Sequence, residues 1–331
     1  MTYPRAVATG WHPVATVAQL KRKPLARQLM NTPLVVFASK DGPAVMVDRC
    51  PHRNAALSQG RVRGGEIECP YHGWRFAPDG RCTLTPGADK PARPSAQALP
   101  VSVKHGLVFT TLAPQPNTEP VTPFPMGDPR YDSFLWPVRA TRARLLDSVE
   151  NLLDPAHPHF VHPGIVRSGT TRRPVEVTVR VGADMAEAVY VENAQAQALM
   201  PRVLEGKRTA SIGRFFLPST GQVAFENTRG LKLAVTVFFV PEGDEMVRPY
   251  AHLATPKGMA PPFLKEFFLR AFDMAILAQD QAVLRKQAEN IAKFGAPKYG
   301  VGPLDVLFAA IQTLTAGETP ELSETRLSLQ L

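Results

Sequence analysis

Residues 50–76, CPHRNAALSQGRVRGGEIECPYHGWRF, set Cys50 two positions before His52 and, after 16 intervening residues, Cys69 three positions before His72. This stretch limits the fold more tightly than any other, because two thiols and two imidazoles on short segments must converge on something small and inorganic. Pro51 and Pro70 stiffen the two segments, and Gly60, Gly64, Gly65 and Gly73 permit tight turns around a buried centre. A zinc ion held by two cysteines and two histidines usually draws its cysteines from one knuckle and its histidines from another. Here each finger offers one of each. That presentation suits a two-iron cluster in which one iron takes both thiolates and the other both imidazoles.

The surrounding sequence predicts a β-rich frame. PLVVFAS (33–39) and AVMVDR (44–49), on either side of Lys40-Asp41-Gly42-Pro43, read as a hairpin leading into the first finger. Cys82 is the remaining thiol, and an odd cysteine count argues against a disulfide framework and for a reducing compartment. No apolar run approaches the roughly 18 residues of a membrane helix, and the opening MTYPRAVATGWHPV lacks the apolar stretch of a secretory signal, so a cytoplasmic protein is expected. The net charge of +9 lies almost wholly in the first third, where residues 1–120 carry 15 Lys+Arg against 7 Asp+Glu. The basic residues are scattered, with no run longer than KRK at 21–23, so nucleic acid is not the expected partner. An acidic protein steered onto this region makes better use of the field.

Prolines at 114, 116, 120, 123, 125, 129 and 137 exclude a helix or a central strand and mark a boundary. The expected organisation is a domain over 1–115, a Pro-rich linker over 116–138 and a second domain over 139–331. In the second domain, Arg144 to about His157 predicts a helix. Val175, Val177, Val179 and Val181 alternate as in a strand. RFFLPS, QVAFEN, LKLAVTVFFV and the stretch around 250–253 continue the β pattern, and residues 262–291 predict a long helix. The fold class is α+β: an all-β N-terminal domain, then an antiparallel sheet with helices.

A second constellation, ENLLDPAHPHFVHPG (150–164), crowds three of the eight histidines behind an acid. One histidine alone would read as a cap or a packing residue. Three suggest nitrogen ligands for Fe(II), which activates oxygen in an open site of two histidines and one carboxylate. Spacing alone lets His159 pair with either His157 or His162, and Pro158 disfavours a helical His157. For the distant carboxylate, Asp280 has Ile276, Leu277, Val283 and Leu284 at helical offsets, an apolar neighbourhood that asks for a partner. Asp273, beside Leu269, Ile276 and Leu277, is the rival, although Arg270 offers it an ion pair.

C-P-H-R-x3-L-S-x-G, C-P-Y-H-G-W-x-F and the following Gly80 together resemble the Rieske domain of Rieske non-haem iron oxygenases. Ala55 and Tyr71 stand where respiratory-type Rieske proteins carry additional cysteines, so the resemblance is to the low-potential subtype. It implies a [2Fe-2S] cluster on Cys50, His52, Cys69 and His72. Asp154-x2-His157-x4-His162 and AQDQAVLRKQ resemble the family's mononuclear-iron segments. They imply His157, His162 and Asp280 as ligands, Asp154 as a bridge that hydrogen-bonds a ligand histidine and faces a neighbouring subunit's Rieske histidine, and Asn151 as a further site position. His159 is left beside the site. The family's catalytic domain is of the helix-grip type, and its members work as trimers.

The resemblance further implies the oxygenase component of a multicomponent system. A ferredoxin or NAD(P)H-dependent reductase feeds single electrons to the cluster, and O2 is activated at mononuclear Fe(II) beside a small aromatic substrate. The chain looks most like short monooxygenases and O-demethylases such as the vanillate and dicamba enzymes, so hydroxylation or demethylation is expected, with ring cis-dihydroxylation as the alternative. A non-catalytic Rieske electron carrier would leave the second constellation without purpose. Between sheet and long helix, Asn227, Arg248, His252 and Phe272 are candidate substrate contacts, and Arg248 or Arg202 a candidate partner for a substrate carboxylate.

Overall fold

The computed structural model describes residues 3–331 apart from 22, 115, 117, 166–171, 173, 192–206 and 259. The chain divides into two compact units, one comprising 1–3, 8–121 and 240–244, the other 4–7, 122–239 and 245–331. Arg202 lies outside the described residues.

The first unit is built from short antiparallel sheets. Strands β1 (His12–Thr16), β9 (Val101–Lys104) and β10 (Leu107–Thr110) form one; β2 (Leu25–Leu29), β3 (Thr32–Ser39) and β4 (Gly42–Val47) form another. The expected hairpin is β3–β4, paired from Leu34↔Val47 to Ser39↔Gly42. The third sheet, β5 (Arg61–Arg63), β6 (Glu66–Glu68), β7 (Arg75–Phe76) and β8 (Cys82–Leu84), carries the second finger between β6 and β7. Val35, Phe37, Met46, Leu57, Ile67 and Phe76 are fully buried and pack with Cys50, Cys69 and Cys82 in one cluster. The finger cysteines are thus rooted in the core.

The second unit is organised by a nine-stranded antiparallel sheet. Its order is β11 (Tyr131–Pro137), β18 (Met246–Pro256), β17 (Gly230–Gly243), β16 (Thr220–Asn227), β15 (Arg208–Phe216), β14 (Met185–Val191), β13 (Pro174–Val181) and β19 (Ser323–Gln330), with β12 (Thr141–Arg142) also on β18. Part of the proline-rich stretch is therefore structured: β11 is an edge strand, where Pro137, which cannot donate to a ladder, is tolerated. Val175, Val177 and Val179 are buried on one face of β13, as their alternation predicts.

Five helices occur among the described residues: α1 (Arg5–Thr9), α2 (Leu145–Leu153), α3 (Pro158–Val161), α4 (Pro262–Phe294) and α5 (Phe308–Ala316). α2 packs on the sheet where β16 has Gly221, since a Cβ there would stand 2.7 Å from Leu152 Cδ2. α4 is seated by Leu269, which packs with Phe134, Trp136 and Leu253. Near its start the buried Lys265 donates to Asp132 Oδ2 and to the Pro256 carbonyl, each at 2.7 Å. A buried ammonium paired and hydrogen-bonded in this way costs far less than an isolated one.

The helix expected over 144–157 ends early, at Leu153, and α3 begins separately at Pro158. Asp154, with φ −70° and ψ 118°, is extended because Pro155 follows it, and α2 stops there. Pro158 does not loosen His157, which has helical angles of φ −55° and ψ −32°. It occupies the first position of α3, where a missing N–H costs nothing.

Candidate functional site

The two fingers share one backbone design. In each, the cysteine N–H donates to the carbonyl five residues on (Ala55 at 2.8 Å, Trp74 at 2.8 Å) and its carbonyl accepts from the N–H four residues on (Asn54 at 2.9 Å, Gly73 at 3.1 Å). The donor in that second bond is left-handed in both, φ 60° at Asn54 and 69° at Gly73, a conformation Asn and Gly adopt most readily. On this common loop His52 takes the third position and His72 the fourth. Their rings meet edge to face at 4.6 Å, and the Trp74 indole stacks on His52 at 4.4 Å with 3° between planes.

Burial pushes the Cys50 thiol up to about 11, with the Cys69 thiol adding to the rise against backbone N–H groups that lower it. Buried thiols this close ionise together only with a cation between them. Burial and the neighbouring His72 and Arg53 hold His52 below its ordinary value, in the neutral form that binds metal. Among the described residues, three or more such ligand atoms lie within 4.8 Å of one another only at His157, His162 and Asp280. In the fingers the two thiols neighbour one another and so do the two imidazoles, the pairing by ligand type that a mixed-ligand two-iron centre uses.

The second constellation converges across the single turn of α3. His162, 1% exposed, leaves helical geometry at φ −121° and ψ 48°, which turns its ring toward that of His157, with centroids 5.3 Å apart. Asp280 reaches them from α4: its Oδ1 lies 3.1 Å from His162 Nε2 and 3.6 Å from His157 Nε2. Ligands at right angles on bonds of roughly 2.1 Å stand about 3 Å apart, so the three fit one face of one metal ion.

The outer nitrogens are also engaged. His162 Nδ1 is 2.7 Å from Gln279 Oε1, and His157 Nδ1 is 2.8 Å from the Asp154 carbonyl. With these oxygens as acceptors, both rings carry the proton on Nδ1 and present Nε2 inward. Burial disfavours charge on both. At His157 it prevails over Asp280 and Asp154 and lowers the pKa; at His162 the contacts with Asp280 and Gln279 prevail and raise it. The Asp154 carboxylate stands further off, with Oδ2 3.9 Å from His157 Nδ1 and Oδ1 accepting from Ala156 N–H at 2.7 Å. Its main-chain carbonyl makes the histidine contact. His159 is outside the group of three, and Asn151 lies half-buried in the last turn of α2.

Beside His157, His162 and Asp280 opens a cavity of about 170 Å3, lined by residues of α2, α4 and the sheet. Its walls are chiefly apolar, among them Leu152, Val223, Phe225, Val235, Phe272 and Ile276. An apolar cavity of about 150 Å3 admits benzene, so the space suits a small aromatic molecule. Of the expected substrate contacts only Phe272 lines it. Leu253 faces the cavity, so strand alternation turns His252 and Arg248 of β18 to the other side. Arg248 Nη1 is 3.4 Å from the Val138 carbonyl. Asn227 is the last residue of β16, its Oδ1 accepting from Arg229 N–H at 2.8 Å in the turn that follows.

The lining also holds polar residues that were not expected as substrate contacts, Arg208, Tyr190 and Asp273 among them. Arg208, 5% exposed, places its guanidinium 4.0 Å over the Phe225 ring. Tyr190 comes from β14. Asp273, expected as a rival ligand paired with Arg270, lies on the cavity wall outside the group of three, while Arg270 is exposed. Burial, opposed by the Trp136 indole and reinforced by Asp280, pushes the Asp273 carboxyl up to about 7.

Residues 10–104 match the Rieske [2Fe-2S] domain family, and residues 141–305 match the vanillate O-demethylase oxygenase C-terminal domain family. The chain is 34% identical over 169 residues to methylxanthine N1-demethylase NdmA of Pseudomonas putida, covering 46% of this chain and 47% of the relative. It is 29% identical over 216 residues to the oxygenase component of dicamba O-demethylase of Stenotrophomonas maltophilia, covering 61% of each. The matched segments thus span about half the length of these curated relatives. The fold resembles dicamba monooxygenase bound to dicamba with a TM-score of 0.78 at 22% identity, covering 93% of this chain and 97% of that one. It resembles Pseudomonas putida CBB5 NdmA with caffeine equally, with a TM-score of 0.78 at 24% identity, covering 93% and 89%.

Proposed function

Because a chain with a Rieske domain followed by a vanillate O-demethylase-type C-terminal domain belongs to the Rieske oxygenases, we propose that it is the oxygenase component of a multicomponent monooxygenase or demethylase acting on a small aromatic compound. The observation that carries this reading is the convergence of His157, His162 and Asp280 on one side of an apolar cavity sized for one aromatic ring. Residues 1–115 would hold and reload electrons, 139–331 would bind substrate and oxygen, and 116–138 would join them.

Cys50 and Cys69 would hold one iron of the cluster, His52 and His72 the other, and His157, His162 and Asp280 the mononuclear iron. When bound, the cluster supplies single electrons and the mononuclear iron supplies open positions at which dioxygen is activated. The rest falls to the protein. Gln279 and the Asp154 carbonyl hold the two imidazoles with Nε2 inward, the apolar walls exclude water, and Phe225 and Phe272 contribute aromatic surface to the cavity wall. Arg208 replaces Arg248 as the cationic group placed for a substrate carboxylate or carbonyl. Asp154 lies between ligand histidine and solvent, suited to passing electrons from a cluster on a neighbouring copy in a homotrimer. The basic first third would receive an acidic ferredoxin or reductase.

The demethylase names of two relatives support oxidation at a methyl group. Oxygen uptake and NAD(P)H oxidation with a reductase, over a panel of methoxy- and N-methyl aromatics with formaldehyde assayed, test the reading. Uptake coupled to formaldehyde release is expected. Reduction of the cluster with no substrate-dependent uptake on any compound would leave only an electron carrier.

A further inference from the structure

The cavity-facing stripe of α4 runs Leu269, Phe272, Asp273, Ile276, Leu277 and Asp280, the spacing of one helix face. Two acids interrupt it. Asp280 has its reason in the histidines, but Asp273 sits two turns earlier, roughly 10 Å along the axis and beyond reach of the same ion. It is 7% exposed, it lines the cavity, and its Oδ2 has no hydrogen-bond partner among the described residues. The Trp136 indole stands by the carboxyl and lowers its pKa, yet the hydrogen bonding of Oδ2 is incomplete; an acid oxygen left so on an otherwise apolar helix face is costly, and a ligand that completes it removes the cost.

We propose that Asp273 is the specificity-determining contact of this cavity and that it takes a ring hydroxyl of the substrate, an inference that rests on the cavity being the substrate pocket. The hydroxyl follows from the chemistry of the lone oxygen. An ionised Asp273 needs a donor and a protonated one needs an acceptor; a phenolic O–H is both, whereas a ring N–H, a methyl ether or a carboxylate satisfies at most one state. A carboxylate would also face a like charge whenever Asp273 is ionised. The two-turn separation from Asp280 sets the reacting group on the opposite side of the ring. The substrate class is thus a para-substituted phenol, with the hydroxyl at Asp273 and the oxidised substituent toward His157, His162 and Asp280.

Anaerobic calorimetric titration of the iron-loaded holoenzyme with 4-methoxyphenol and with 1,4-dimethoxybenzene tests this, since the two differ only in the group offered to Asp273. The wild-type protein should bind the phenol roughly 10- to 100-fold more tightly. Asp273→Leu should abolish the preference while binding the diether at least as well, and Asp273→Asn, which keeps an acceptor and a donor, should retain most of it. The cluster absorption and melting temperature of each variant report folding. No phenol binding, no preference in the wild type, a wild-type preference in Asp273→Leu, or its loss in Asp273→Asn as well would overturn the assignment. Binding with the predicted preference but without oxygen uptake would instead count against the oxygenase reading and leave Asp273 in place.

Discussion

Gln279 Oε1 lies 2.7 Å from His162 Nδ1, so the residue just before Asp280 orients an imidazole 117 positions away. Neighbouring side chains of α4 therefore address both nitrogens of one imidazole, Asp280 at Nε2 and Gln279 at Nδ1. Removing the outer contact frees the ring to rotate and to change tautomer. Gln279→Leu should weaken Fe(II) binding at the mononuclear site roughly 10- to 100-fold while leaving the cluster absorption unchanged. Titration of the iron-depleted site with Fe(II) or Co(II) measures it, and wild-type affinity would show the contact to be incidental.

Asp280→Asn tests the ligand set itself. Iron per chain should fall from about three to about two with acid-labile sulfide unchanged at about two, because only the mononuclear site loses its anionic ligand. Metal and sulfide analysis reads this directly. Unchanged iron would exclude Asp280 as a ligand.

Asp154→Asn keeps the side-chain oxygen that caps Ala156 N–H and the carbonyl that receives His157. It removes only the negative charge beside the ligand. We expect both iron centres to load normally and substrate-dependent NAD(P)H oxidation to drop roughly 10- to 100-fold. A variant of normal turnover would refute a bridging role for the carboxylate.

Glu150 gives a pH dependence. Burial, with Asp305, Asp154 and Asp147 as like-charged neighbours, pushes its carboxyl from an ordinary 4.5 up to about 7. Between those values the folded protein binds more protons than the unfolded chain, so its contribution is full below about 4.5 and is lost as pH rises through 7. Glu150→Gln should therefore stabilise the protein by about 1–2 kcal/mol near pH 8, a difference that shrinks toward pH 5. Urea unfolding at several pH values checks it, and a pH-independent difference would contradict the titration.

What the sequence made legible was local. The fingers declare themselves because each carries both its ligands and its turn-forming residues within six positions. The histidines near 160 do so by crowding. Asp280 could be singled out because a helix repeats, so its apolar neighbours at three and four positions were countable. Gln279 stood in the same quoted segment, but nothing local distinguishes an orienting glutamine from a solvated one when its partner lies on another helix. Arg208 gives even less signal, since a single basic residue on a strand reads as exposed. Only the sheet order, with β15 beside β16, brings it over Phe225. Arg248 and His252 lie off the cavity for a related reason: alternation tells that a strand has two sides but not which one meets the cavity. The end of α2 is legible at Pro155, which keeps Asp154 out of helical geometry.

The matched loops at Cys50 and Cys69 have an electrochemical corollary. If one main-chain template serves both ends of the cluster, the difference between the two irons resides in the side chains at 52 and 72 alone. Ferredoxin-like ligation by four thiolates is associated with potentials near −400 mV, below the roughly −150 to +300 mV of mixed ligation. The donor this protein can accept electrons from is to that extent written in two imidazoles.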